Sequence, residues 1–150
     1  MTAIEIKCIT TNDAAYQEVL HLRHTVLRAP LGMDIYAEDL HHEVNDCILT
    51  AWQRQQLIGC VLLKPLADNT MKLRAMAVHP SVQGQGIGRL LVLQAEREAI
   101  AQHAKDIVLH ARVSAKGFYE KLGYEIVGEP FVEVTLPHVK MRKQLLTQET

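Results

Sequence analysis

The run Ala77-Val78-His79-Pro80-Ser81-Val82-Gln83-Gly84-Gln85-Gly86-Ile87-Gly88-Arg89-Leu90-Leu91 carries the clearest chemistry in the chain. A β-type apolar stretch stops at a His-Pro turn, crosses a loop with glycines at alternating positions, and opens directly into an amphipathic helix. Such glycines let the main chain approach a bulky anion and turn its N–H groups toward it. The positive end of the helix dipole then favours that anion by about 0.3–1 kcal/mol. The segment therefore reads as a phosphate-binding device, and two nucleotide signatures can be tested against it. A Walker loop requires Gly-Lys-Ser/Thr after Gly and four residues, but the fifth residue after Gly84 is Arg89, followed by Leu90. A dinucleotide fingerprint requires a glycine three residues after Gly86, which is again Arg89. Neither pattern fits.

What remains is Gln83-x-x-Gly86-x-Gly88, followed one helix and one strand later by Ala115-Lys116-Gly117-Phe118-Tyr119-Glu120-Lys121-Leu122-Gly123-Tyr124. Gly123 suits the left-handed position just after a helix. Taken together, in this order and at this separation, the two segments resemble the pyrophosphate loop and the second motif of the GNAT superfamily, the acyl-coenzyme-A-dependent N-acyltransferases. The stretches Leu22–Gly32 and Phe131–Met141 resemble the ElaA-like branch, although Val134-Thr135-Leu136 stands where a glycine-containing triplet is expected. The resemblance implies acetyl-CoA as cosubstrate and an amine-bearing acceptor; no metal is expected, because no histidine or cysteine spacing matches a recognised zinc site. Main-chain groups of Met76, Ala77 and Val78 would pair with pantetheine as an added strand does. Those of Gly84, Gln85, Gly86, Ile87, Gly88 and Arg89 would hold the pyrophosphate. The Gln83 side chain either assists or shapes the loop. Many members carry an asparagine seven residues before the tyrosine; this chain has Arg112, which either meets a phosphate or caps the turn. Arg89, Lys116 and Lys121 either reach a phosphate or are simply solvated.

Acyl transfer requires an acid for the departing sulfur and a neutral amine as nucleophile. Tyr119 occupies the place where the family commonly keeps an acid, and a phenol, with its reference pKa near 10, stays protonated at neutral pH. A main-chain N–H near Val78 would stabilise the oxyanion. An alkylamine, by contrast, is neutral only to about one part in a few thousand at pH 7. Some members use a glutamate on the strand before the loop, but here the polar residues of Met71–Val78 are Lys72 and Arg74. His110 and His138 are therefore the candidate bases, each weighed against a purely structural role. Arg23 and Arg28 are candidate anchors for an anionic acceptor, or else partners of Glu38, Asp39 or Glu43. His21 with His24, and His41-His42-Glu43, match no recognised zinc spacing. A second reading is a non-catalytic acyl-CoA-binding sensor or subunit.

The elements that must position these residues read as one α/β unit spanning residues 1–150. Ala3–Ile9 alternates as a strand, and Ala15, Val19, Leu22 and Val26 recur at helical spacing up to Pro30. Residues from Leu31 to Asn45 read as a loop with a short helix. Cys47–Gln53 and Leu57–Lys64 form a hairpin, and Met71–Val78 leads into the glycine loop. A helix runs from Ile87 to about His103, Ile107–His110 is a short strand, and the Tyr119 helix comes next, with Phe118 and Tyr124 in the core. Phe131–Met141 is a closing extended segment interrupted by Pro137. This order predicts a mixed sheet rather than a purely parallel one; the resemblance implies that the sheet is mostly antiparallel, flanked by helices and splayed at the acyl-CoA site.

Sixteen basic against seventeen acidic residues give a net charge of −1, which argues against a nucleic-acid or anionic-membrane binder. No apolar run approaches a membrane span, and the first residues lack a signal-peptide pattern. Cys8, Cys47 and Cys60 are odd in number and widely spaced, so a disulfide framework is not expected and a cytoplasmic setting is. Association into a homodimer stays open at this level.

Overall fold

The computed structural model describes residues 3–145. The strands are β1 (Glu5–Ile9), β2 (Cys47–Gln53), β3 (Gln56–Pro65), β4 (Thr70–Val78), β5 (Asp106–Arg112), β6 (Glu125–Ile126), β7 (Phe131–Glu133) and β8 (Leu136–Gln144). They form one sheet in the order β1-β2-β3-β4-β5-β8-β6, with β7 paired to β8. Among the described residues β4 and β5 are the parallel pair and all other pairings are antiparallel. The helices are α1 (Tyr16–Arg23), α2 (Ile87–Ala101) and α3 (Lys116–Lys121). The parallel pair needs a crossover, which α2 provides.

Two apolar clusters sandwich the sheet. On one side Leu91, Val92, Ala95 and Ala99 of α2 meet Leu49, Val61, Leu73 and Leu109. On the other, Tyr16, Val19, Leu20 and Leu22 of α1 meet Ile48, Cys60, Leu62 and Ala77. The α2 contact depends on Gly59, where an added Cβ would lie 2.9 Å from Ile87 Cγ2 and 3.1 Å from Leu91 Cδ1.

Pairing between β4 and β5 runs from Thr70↔Asp106 to Leu73↔Leu109 and then stops. The paired end is clamped by Asp106, which accepts from Thr70 Oγ1 at 2.6 Å and from Arg142 Nε at 2.7 Å. The open end begins at a bulge in β4. Cys60 faces Ala77 and Leu62 faces Arg74, so two residues of β4 oppose one of β3. Ala75 within the bulge has φ 55°. A bulge bends its strand and redirects the residues beyond it; here it turns Met76–Val78 away from β5 and leaves their β5-facing main-chain groups unclaimed by a neighbouring strand. The splay expected from the resemblance has this local cause.

Three expectations need correction. The first helix does not run regularly to Val26. After Arg23 the chain widens into a π turn over His24–Arg28, closed by the Ala29 N–H on the His24 carbonyl. The closing segment breaks not at Pro137 but at Val134-Thr135, both with positive φ (44° and 66°), making β7 and β8 a tight hairpin. Pro137 sits inside β8, opposite Val132 of the short strand β7. Finally, Cys8 and Cys47, on adjacent strands with Cα atoms 6.0 Å apart, come together as a disulfide, while Cys60 is buried and free.

Candidate active site

The glycine loop takes its shape from local bonds. His79 Nδ1 accepts from the Ser81 N–H at 3.2 Å, so the imidazole caps the turn over Pro80–Val82. Gln83 Nε2 donates to the Val78 carbonyl at 3.1 Å, tying the loop back to the end of β4. Of the two roles open to Gln83, shaping the loop is the one this geometry shows. Gly84 and Gly86 have φ of 81° and 84°, conformations that L side chains rarely adopt, and Gly86 is the N-cap of α2. Gly88 allows the first turn of α2 to sit against Phe118, whose Cζ would lie 3.3 Å from an added Cβ. Gln85 and Arg89 are exposed.

The loop forms one end of a cleft of about 920 Å³ that fills the opening between β4 and β5. Met76, Val78, Gln83, Gly84, Gly86, Ile87, Gly88 and Arg89 line it, as do Arg28, His110, Arg112, Tyr119 and His138. Ala77 alternates inward, nearly inaccessible in the α1 cluster, and does not line the cleft, unlike Met76 and Val78 on either side of it. A cleft of this size suits a cofactor-sized molecule.

Tyr119 lies on α3 with its ring edge-on to Phe118 (4.9 Å) and Tyr124 (5.9 Å). It is 8% exposed, and burial pushes its phenol up to about 12. The phenol therefore keeps its proton across the neutral range. Tyr124 is core, donating to Glu96 at 2.9 Å, but Phe118 is partly exposed and lines the cleft rather than the core. Lys143 donates to Glu96 and to the Leu122 carbonyl (2.8 Å), which fixes the end of α3 against α2 and β8.

The arginines divide. Arg23 is 1% exposed and makes a two-pronged bond to Glu43, at 2.8 Å for each nitrogen, so it cannot meet an acceptor in the cleft. Of its two readings, internal pairing holds. Glu43 also accepts from Tyr16 (2.7 Å) and Arg74 (2.8 Å). Burial alone would raise this carboxyl; the bonds and charge of Arg23, with Arg74 and Tyr16, outweigh it and hold the group at about 2. The cluster locks α1 to β4 one residue before the bulge. Arg28 does line the cleft, its Nε on Glu38 at 2.7 Å. Arg112 lines it too and donates to the Leu27 carbonyl at 3.2 Å, with no carboxylate partner among the described residues. Burial and the nearby Arg28 lower its guanidinium pKa.

His110 and His138 both face the cleft, and a carboxylate overlooked in the sequence lies with them. Glu133 Oε1 is 3.0 Å from His110 Nδ1, and Oε2 is 3.8 Å from His138 Nε2. Glu133 was hidden because it precedes a turn that carries no glycine or asparagine to announce it. Among the described residues no group of three or more metal-ligating side chains comes together.

A cleft at a splayed β4–β5 pair, bordered by a glycine loop and the N-terminus of α2, is the geometry of an α/β fold that can hold a large anionic cofactor. Residues 10–145 match the GNAT acetyltransferase domain, and the chain belongs to that family. It is 30% identical over 140 residues to the uncharacterized N-acetyltransferase YjcF of Bacillus subtilis, covering 90% of this chain and 96% of that one. Escherichia coli ElaA superposes with a TM-score of 0.81 at 17% identity over 94% of this chain and 99% of its own. An aminoglycoside 6'-N-acetyltransferase complexed with coenzyme A superposes with a TM-score of 0.79 at 21% identity, covering 97% and 99%. The chain is thus an acetyl-CoA-dependent acyltransferase of the GNAT family, with ElaA among its structural neighbours.

Proposed function

We propose that the protein transfers an acetyl group from acetyl-CoA to a primary amine of a small molecule or peptide, by direct attack within a ternary complex. The observation that carries this reading is the cleft itself, which joins the glycine loop, the unpaired edge of Met76–Val78 and a buried, protonated Tyr119 in one continuous space. Coenzyme bound in the aminoglycoside acetyltransferase neighbour supports the same ligand here. The pyrophosphate would lie on the N–H groups of Gly84–Arg89 and pantetheine along Met76–Val78. The thioester would then reach the apex of the splay, where pairing ends at Leu73↔Leu109. A main-chain N–H of the Met76–Val78 segment would take the oxyanion, and Tyr119 would protonate the leaving sulfur.

Incubation with acetyl-CoA and a panel of amines, amino acids and peptides tests this. The expected result is amine-dependent release of free thiol with one acetyl group added to the amine. Coenzyme binding without thiol release from any amine would favour the sensor reading instead. Gly86→Val addresses the loop directly: a β-branched residue is an outlier at φ 84°. The strain, of order 1–3 kcal/mol, should weaken acetyl-CoA binding by about tenfold or more in calorimetry. Unchanged affinity would remove the loop from the coenzyme site.

A further inference from the structure

The β7–β8 hairpin contributes Glu133, Val134 and His138 to the lining of the cleft. Its turn residues Val134 and Thr135 are β-branched with φ of 44° and 66°, an unusual strain for such residues. Strain of this kind persists where surrounding structure holds it in place, and it concentrates at functional sites. Its consequence is positional: the turn brings Glu133 over β5, where Val134 and Glu133 both line the cleft. Phe131 steadies the arrangement, edge-on to His110 at 4.9 Å and stacked on His138 at 6.0 Å.

Hydrogen-bonding rules then assign protons. A carbonyl only accepts, so His138 Nδ1, 2.9 Å from the Leu136 carbonyl, carries a hydrogen. An ionised carboxylate also only accepts, so His110 Nδ1, 3.0 Å from Glu133 Oε1, carries its hydrogen as well. That leaves the His110 lone pair on Nε2. His110 directly follows Leu109, the last residue of β5 paired with β4, and therefore stands at the apex of the splay.

We propose that His110 Nε2 is the base that deprotonates the acceptor amine, and that Glu133, reaching it from β7, is its positioning residue. The proposal rests on the acetyl-transfer reading above. Of the three protons on the incoming ammonium, one passes to His110 Nε2 and from there to water. The nitrogen lone pair forms the N–C bond, and collapse of the oxyanion breaks the C–S bond. The second proton replaces the one Tyr119 gives to the departing thiolate, and the third stays on the amide. One proton is released per turnover. The charged and titratable groups facing this pair are Lys72 and Arg74 on β4, Arg112 on β5, His138 and Lys140 on β8, Tyr119 on α3 and Arg28 of the π turn.

The test is kcat and KM with the best amine, measured together with the acetyl-CoA dissociation constant and the melting temperature. His110→Gln should lower kcat/KM by about 10²–10⁴-fold. Glu133→Gln, which loses the carboxylate that holds the His110 Nδ1 hydrogen, should lower kcat while KM for the amine and the melting temperature stay close to wild type, and Glu133→Asp should recover part of the loss. A merely structural Glu133 would alter melting temperature and leave kcat where it is. Both glutamine variants should bind acetyl-CoA as the wild type does. Wild-type kcat in Glu133→Gln or in His110→Gln, with coenzyme binding intact, overturns the proposal and leaves the acetyl-transfer reading standing. Failure of the wild type to bind acetyl-CoA overturns both.

Discussion

Tyr119→Phe is expected to lower kcat by about 10²–10⁴-fold, the usual worth of a positioned proton donor, with acetyl-CoA affinity nearly unchanged. The substitution removes one oxygen and keeps the ring contacts to Phe118 and Tyr124, so packing is preserved. Burial holds the phenol at about 12, which secures its proton but weakens its drive to donate. The same burial disfavours a thiolate leaving beside it, so the two proton affinities rise together and transfer stays close to balance. Single-turnover measurement of thiol release separates this effect from coenzyme binding. Wild-type kcat in the variant would take Tyr119 out of the chemistry.

The largest stability effect is expected at Glu43. This carboxylate, fully buried, neutralises Arg23, which is itself 1% exposed, and bonds Arg74 and Tyr16. Removing one partner of a buried pair strands the other, at a cost of about 3–5 kcal/mol. Glu43→Ala should lose that much in urea denaturation at pH 7, and Glu43→Gln, which keeps the shape and some of the bonds, should lose less. The same group makes the wild type acid-sensitive. Its carboxyl is lowered from 4.5 to about 2 on folding, so its contribution is fully present above about pH 4.5 and disappears as pH falls through about 2. At 1.36 kcal/mol per unit this is on the order of 3 kcal/mol, and Glu43→Gln should lack that component of the acid transition. Equal stability of Glu43→Ala and wild type would show that the cluster does not anchor α1 to β4.

How much of this was legible in the sequence differs by element. The glycine loop could be read because Gly84 and Gly86 occupy backbone conformations that few other residues adopt, so the residue types announce the geometry. The β2–β3 hairpin was equally plain, its two strands flanking a polar turn. The bulge that opens the site was not, because Ala75 at φ 55° carries no compositional signal; its conformation comes from the surrounding strands. The Val134-Thr135 turn was missed for the same reason, since β-branched residues read as strand, and with it went Glu133. For Arg23 the sequence leaves an acceptor anchor and a partner of Glu38, Asp39 or Glu43 equally open, and only the packing of α1 on the sheet selects Glu43. The Cys8–Cys47 pair is likewise a product of strand register, invisible to spacing.

Everything functional here depends on the β4–β5 cleft being the acetyl-CoA site, and a thermal-shift titration with acetyl-CoA, run beside coenzyme A, ATP and NAD, tests that most directly. A ligand confined to the native state adds about 2.7 kcal/mol of stability at a hundredfold excess over its dissociation constant. The expected result is a clear rise in melting temperature with acetyl-CoA and coenzyme A, reduced in Gly86→Val. A rise with ATP or NAD and none with either coenzyme would contradict it.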